Sequence, residues 1–257
     1  MSVARRRFGQ HFLVDPDTIQ RILQAIQPKR DQHLVEIGPG RGAITRPLLA
    51  AMGRLDAVEL DRDLIPVLKR SSQGFGELNV YNADALAFNF AALSDDRGLL
   101  RLVGNLPYNI STPLLFRLLE QARVFQDMHF MLQKEVVERM AAGPNESAYG
   151  RLSVTVQYRC KVDPLFIIGA QAFSPSPKVE SAFVRLKPYE QPPIVVYNEQ
   201  RFMALVRAAF SQRRKTLRNS LRCLLSAADI EAAGIDPGTR PETLALADFA
   251  ALSNYRE

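Results

Sequence analysis

The stretch Leu34-Val35-Glu36-Ile37-Gly38-Pro39-Gly40-Arg41-Gly42, running on into Ala43-Ile44-Thr45-Arg46-Pro47-Leu48-Leu49, decides how the rest of the chain is read. Four residues of strand character meet a glycine turn, and a helical pattern follows. Glycines at such a turn let the backbone approach a ligand where a Cβ would collide. The spacing is G-x-G-x-G, not the G-x-G-x-x-G of a dinucleotide site, which disfavours a nicotinamide dehydrogenase. A second apolar run, Leu55 to Leu60, carries Glu59 near its end. About twenty residues beyond the first glycine is where a carboxylate can accept both hydroxyls of a ribose. A third strand candidate, Leu78 to Asn82, is followed by Asp84, which can accept a hydrogen from an adenine amino group. Acidic residues thus fall at successive strand ends. Glu36 lies inside the first of these strands with its role open, and Asp61 and Asp63 read as a solvated rim or helix caps.

A fourth apolar stretch, Leu99, Leu100, Leu102 and Val103, runs into Asn105-Leu106-Pro107-Tyr108. This run offers amide and carbonyl acceptors, a rigid bend and an aromatic face together. Pro107 has a fixed φ and no N–H, so it can hold carbonyls outward in an irregular turn. Those carbonyls can accept from an exocyclic amine while Tyr108 stacks on the ring that carries it. The plain alternative is a proline turn with a half-buried tyrosine.

Strand and helix signals alternate from about residue 34 to about 135, the pattern of a parallel sheet covered by helices on both faces. Met128 to Leu132 is a fifth strand, and Ser153 to Tyr158 and Ala182 to Leu186 have strand composition. The proline-rich segment Pro188 to Pro193 reads as a linker. It separates an α/β domain over 1–187 from a small helical domain over 188–257, with helical patterns near 199–210, 213–226, 229–234 and 245–254. At 257 residues with 47% apolar content the chain can build a real core. No run of eighteen apolar residues is present, and Arg5-Arg6-Arg7 has no apolar signal segment behind it, so a cytoplasmic location and no membrane are expected. Cys160 and Cys223 lie far apart without a C-x-x-C pairing, and three histidines form no ligand cluster, so no metal site is expected.

The net charge of +6 fits a polyanionic partner. Its distribution says more than its total. Arg213, Arg214, Lys215, Arg218 and Arg222 fall in ten residues without an acid, and Arg207, Arg214 and Arg218 share one face if that helix is continuous. Phe210, Leu217 and Leu221 take another face. Phosphate contact is preferred here over a merely solvated face, with Arg5 to Arg7 as an added basic arm.

Taken together, Phe8 to Leu13, Val35 to Gly40, Glu59-Leu60-Asp61, Asp84-Ala85, Asn105 to Tyr108, Phe173 to Ser181 and Gln212 to Thr216 carry a specific resemblance. The chain resembles the bacterial 16S ribosomal RNA adenine dimethyltransferases, a branch of the class I S-adenosylmethionine-dependent methyltransferases, over nearly its whole length. That resemblance implies a Rossmann-like α/β fold whose later strands complete a mixed seven-stranded sheet, followed by a small C-terminal all-helical domain. It implies S-adenosylmethionine as methyl donor, bound by Gln10, His11, Leu13, Gly38, Gly40, Glu59, Leu60, Asp84, Ala85 and Asn105. His11 stands where asparagine is most often expected. It implies a turn of Asn105, Leu106, Pro107 and Tyr108 that holds the target adenine, with Phe173 facing Tyr108 across the base as an aromatic clamp. The substrate implied is 16S rRNA in the small (30S) ribosomal subunit or its precursor, where two adjacent adenosines of a hairpin loop each receive two methyl groups on N6. A monomer is expected. Two alternatives stand beside it: a 23S rRNA adenine dimethyltransferase of the macrolide-resistance type, and a non-catalytic small-subunit assembly factor. Intact Glu59, Asp84 and Asn105 weigh against the second.

Overall fold

The computed structural model describes residues 11–212 and 214–255. Gln10, Arg213 and the Arg5 to Arg7 segment lie outside them. After the short strand β1 (Phe12–Leu13), helix α1 (Pro16–Ile26) begins where Asp15 accepts from the Thr18 amide at 2.9 Å and Pro16 fixes the first turn. Its Ile22 and Ile26 are fully buried. The alternation read from sequence follows as β2 (His33–Ile37), α2 (Thr45–Met52), β3 (Arg54–Glu59), α3 (Ile65–Ser71), β4 (Glu77–Asn82), β5 (Leu100–Asn105), α4 (Ser111–Glu120) and β6 (Phe125–Gln133).

The strands form a seven-stranded sheet in the order β4-β3-β2-β5-β6-β9-β7, with β7 over Cys160–Ile168 and β9 over Ser181–Pro188. β4 through β6 are parallel, and β9 pairs antiparallel to β6 with Met131 opposite Phe183. The sheet is therefore mixed, as expected. The strand order reverses between β2 and β5, which is where an open α/β sheet leaves a crevice beyond its carboxyl ends. β2 and β5 approach closely there: a Cβ on Gly104 would lie 2.6 Å from the Ile37 carbonyl oxygen, so only glycine fits. A separate two-stranded sheet joins β1 to β8 (Phe173–Ser174), with Leu13 opposite Phe173.

Two secondary-structure expectations change. Ser153 to Tyr158 is not a strand but the middle of helix α6 (Arg151–Arg159), which follows α5 (Lys134–Ala141). Its alternating branched residues look like a strand, yet the helix buries Leu152, Val154, Val156 and Tyr158, so packing overrides local preference. Gln157 Nε2 ties it to the carbonyls of Met140 and Ala142, both at 2.8 Å. The seventh strand comes instead from β7. The pattern over 213–226 forms only the four-residue α8 (Leu217–Ser220). α7 (Glu199–Ala209) has already ended and Arg214 sits at φ +66°, so Arg207, Arg214 and Arg218 do not share one helical face.

The chain packs as two compact units: residues up to Val137 with Asp163–Pro188, and Glu138–Val162 with Tyr189 onward. A single cut at residue 188 does not describe this packing. Within the second unit, Tyr149, Val154 and Tyr158 share an apolar cluster with Phe202, Leu205, Leu217, Leu221 and Phe249, and the Tyr158 and Phe202 ring centroids lie 4.7 Å apart. The remaining helices there are α9 (Ala227–Ala232) and α10 (Leu246–Asn254). Among the described residues, no helix is long and apolar enough to cross a membrane.

Candidate active site

The carboxyl ends of β2, β3, β4 and β5 open into a cavity of about 420 Å³, within the range of small-molecule sites. Its lining includes His11, Leu13, Gly38, Gly40, Glu59, Leu60, Asp84, Ala85 and the whole Asn105 to Tyr108 turn. Residues drawn from five separate stretches of sequence thus meet in one cleft. Four carboxylates, Glu36, Glu59, Asp61 and Asp84, line it together with Arg41 and Arg46.

Glu59 is 5% exposed and joins two of these strand ends. Its Oε2 accepts from the Gly40 amide at 3.1 Å, and its Oε1 accepts from the Asp61 amide at 2.8 Å. A carboxylate has about four acceptor positions, so roughly one per oxygen is left for a diol. Burial raises the Glu59 pKa, a shift that the Asp61 and Gly40 amides and, less, the Leu60 amide oppose and the neighbouring Asp61 charge reinforces. Gly40 needs its glycine, being at φ +57° with Phe12 3.2 Å from where a Cβ would lie. Asp84 is exposed, and its Oδ1 accepts from the Leu86 amide at 2.9 Å, which orients the carboxylate at the cleft.

Glu36 acquires a partner that the sequence did not reveal. It is buried and accepts from Thr45 Oγ1 at 2.6 Å, and burial pushes its pKa up to about 7. Asp61 is also buried, at 5% exposed, rather than on a solvated rim. Its Oδ1 accepts from the Asp63 amide at 3.1 Å in a local turn ahead of α3, whose N-cap is Leu64 without a side-chain bond, so Asp61 is neither a solvated rim nor a helix cap.

The Asn105 to Tyr108 turn leaves the sheet at the end of β5. Asn105 Nδ2 donates to the His11 carbonyl at 2.8 Å, which fixes the amide and leaves Oδ1 as its acceptor. The Pro107 carbonyl accepts from the Ile110 amide at 3.1 Å. Of the two carbonyls considered from sequence, Leu106 O is therefore the one not committed to the turn among the described residues. Tyr108 is half-buried, with its hydroxyl 2.6 Å from Ser181 Oγ, and burial raises its pKa. Phe173 does not face it. Phe173 is 3% exposed, lies in the core with Leu13 and Phe183, and is absent from the cavity lining. It pairs with Leu13 across β1–β8 and packs into the core cluster with it, although Leu13 also reaches the cavity. The ring that does lie against Tyr108 is the imidazole of His11, with centroids 5.5 Å apart and planes at 26°.

In the second unit Arg214, Lys215, Arg218 and Arg222 are all exposed, and no ion pair with an acid is made by them among the described residues. Their side chains extend from a turn and a short helix rather than from one stripe.

Sheet order, a switch-point cleft and acidic residues at successive strand ends define the Rossmann-like sheet of the class I methyltransferases. The crystal structure of the 23S rRNA methyltransferase ErmE shares this fold, with a TM-score of 0.73 at 24% identity over 95% of this chain and 98% of that one. The family model for ribosomal RNA adenine dimethylases matches residues 1–257, and the chain belongs to that family. It is 56% identical over 251 residues to the ribosomal RNA small subunit methyltransferase A of Pseudomonas aeruginosa, covering 98% of this chain and 94% of that one. A dimethyladenosine transferase from Plasmodium falciparum has a crystal structure with a TM-score of 0.79 to this chain, at 27% identity and covering 94% and 96%.

Proposed function

We propose that this enzyme transfers methyl groups from S-adenosylmethionine to N6 of two adjacent adenosines in a hairpin loop near the 3′ end of 16S rRNA, acting on the small (30S) ribosomal subunit or its precursor, and giving N6,N6-dimethyladenosines. The observation that carries the reading is the fixed amide of Asn105: its Nδ2 is spent on His11 O, so an acceptor is held at the mouth of an acid-lined cleft beside a tyrosine ring.

The residues present fit the donor. Glu59 would hold the ribose hydroxyls with its two remaining lone pairs, Asp84 the adenine amino group, and Gly38 and Gly40 allow close backbone approach. Buried carboxylates also suit a cation. When bound, S-adenosylmethionine supplies an electrophilic methyl group on a sulfonium centre.

The chemical difficulty lies in the acceptor, because the N6 lone pair is delocalised into the adenine ring. Asn105 Oδ1 and the Leu106 carbonyl accept the two amino hydrogens and draw the nitrogen toward pyramidal geometry, which frees the lone pair for attack. Tyr108 stacks on the base, and its ring face meets the positive charge that develops on nitrogen. No base of shifted pKa is needed, since the proton can leave to water afterwards. Unstacked loop bases suit this pocket, because extruding them costs least. Arg213, Arg214, Lys215, Arg218 and Arg222 contact RNA phosphates, and the enzyme works as a cytoplasmic monomer.

The test is incubation with labelled S-adenosylmethionine and small subunits lacking the modification, in parallel with large subunits, followed by mapping of the label. Dimethyladenine in 16S rRNA is expected. Label confined to 23S rRNA would favour the resistance-type enzyme, and no label on either would favour an assembly factor.

A further inference from the structure

His11 reaches three parts of the site at once. Its carbonyl accepts from Asn105 Nδ2 at 2.8 Å, its Nδ1 lies 2.7 Å from the Pro175 carbonyl, and its ring lies against Tyr108. A carbonyl can only accept, so Nδ1 carries a hydrogen and the imidazole plane is set by that bond. Tyr108 is held at its far end by Ser181, 2.6 Å from its hydroxyl. A ring gripped at one end and covered on one face has a single face left to offer.

The spacing decides which face a base can use. Placing a planar base between two rings needs about two stacking distances, roughly 7 Å in all. The His11 and Tyr108 centroids are 5.5 Å apart, so nothing enters between them. We propose that His11 is a positioning residue for the target adenine: its imidazole backs Tyr108 so that the base stacks on the opposite face, while its carbonyl turns the Asn105 amide oxygen toward that base. This rests on the adenine-N6 reading above, and it gives His11 a part in transfer separate from any contact with the donor. The second ring of the expected clamp is thereby a support behind Tyr108 rather than a partner across the base.

Every substitution at position 11 keeps the backbone carbonyl, so variants isolate the ring. His11→Phe keeps a stacking plane and loses the Nδ1 donor, His11→Asn keeps a short polar donor and loses the plane, and His11→Ala loses both. Single-turnover transfer to small subunits is measured at saturating S-adenosylmethionine, with donor affinity measured separately by calorimetry. His11→Ala and His11→Asn should slow the saturated rate by about tenfold, the order that one aromatic pair contributes. His11→Phe should recover it to within about threefold of the parent. A parent-like rate in His11→Asn would overturn the proposal. So would a loss confined to donor affinity with the saturated rate unchanged, which would return His11 to the cofactor site alone. A rate above the parent in His11→Ala would also overturn it, because the imidazole would then occupy the place of the base. Methylation by the parent alongside unaffected variants sinks only the positioning role and leaves the adenine-N6 reading standing.

Discussion

Replacing Glu59 with glutamine tests how the cleft holds the donor, and the structure sets the size of the effect. The native carboxylate accepts from Gly40 N with one oxygen and from Asp61 N with the other, so it joins the glycine turn after β2 to the end of β3. An amide has one oxygen. Whichever way the glutamine is placed, one of these backbone N–H groups faces an NH₂ and goes unpaired. A buried donor left without a partner costs about 1–3 kcal/mol of stability. The ribose diol also loses one of its two charged acceptors, and a hydrogen bond to a charged group contributes about 1.5–3 kcal/mol. Donor affinity should therefore fall by roughly tenfold to a hundredfold in Glu59→Gln, and further in Glu59→Ala. Titration calorimetry with S-adenosylmethionine reads the affinity, thermal unfolding reads the stability, and binding to small subunits should change by less than about threefold. A donor affinity within twofold of the parent, in a folded variant, would remove Glu59 from the site.

Two further outcomes follow from charge. Burial raises the Glu36 pKa from 4.5 to about 7, so the stability this group contributes is fully present below about pH 4.5 and is lost as pH rises through about 7. Glu36→Gln keeps an acceptor for Thr45 and removes the titration. Urea unfolding should show a pH-dependent loss of about 3 kcal/mol between pH 4.5 and 8 that is present in the parent and absent in the variant, and parallel curves would refute this. Arg214→Ala, Lys215→Ala and Arg218→Ala should each weaken subunit binding and lower the salt slope by roughly one unit; unchanged slopes would make these side chains a solvated surface.

The α/β half of the fold was legible because β2, β3 and β5 are short runs of strand composition that end at a glycine turn, an acid or the Asn105-Leu106-Pro107 bend. β2, β3, β4, β5 and β6 all lie where their composition put them. Ser153 to Tyr158 misled because a helix buried around most of its circumference carries the same branched residues as a strand, and periodicity alone does not separate the two. The 213–226 pattern misled because Arg214 adopts a left-handed conformation that no residue type there announces. In the cleft, Glu59, Asp84 and Asn105 were readable from their places at strand ends. Their partners were not: Thr45 for Glu36, Ser181 for Tyr108 and Pro175 for His11 are nine, 73 and 164 residues away. Ser181 and Pro175 belong to the Phe173 to Ser181 motif, in which sequence suggests a role for Phe173 alone. Phe173 was placed at the base because it is the aromatic of that motif. It packs instead into the core from a two-residue strand paired with β1, and pairing between such short strands has almost no signature in sequence.

Asn105 Nδ2 is spent on the His11 carbonyl, and the proposed role of its amide oxygen is to accept a hydrogen of the target amine. Single-turnover mass spectrometry of small-subunit rRNA, resolving unmodified, monomethyl and dimethyl adenine, compares the parent with Asn105→Ala. The parent should carry adenine through to the dimethyl form. Asn105→Ala should slow the first transfer by on the order of a hundredfold, as expected for loss of one preorganised polar partner, while thermal unfolding and subunit binding stay near parental. First-transfer rates at the parental level in a folded Asn105→Ala variant would contradict the account.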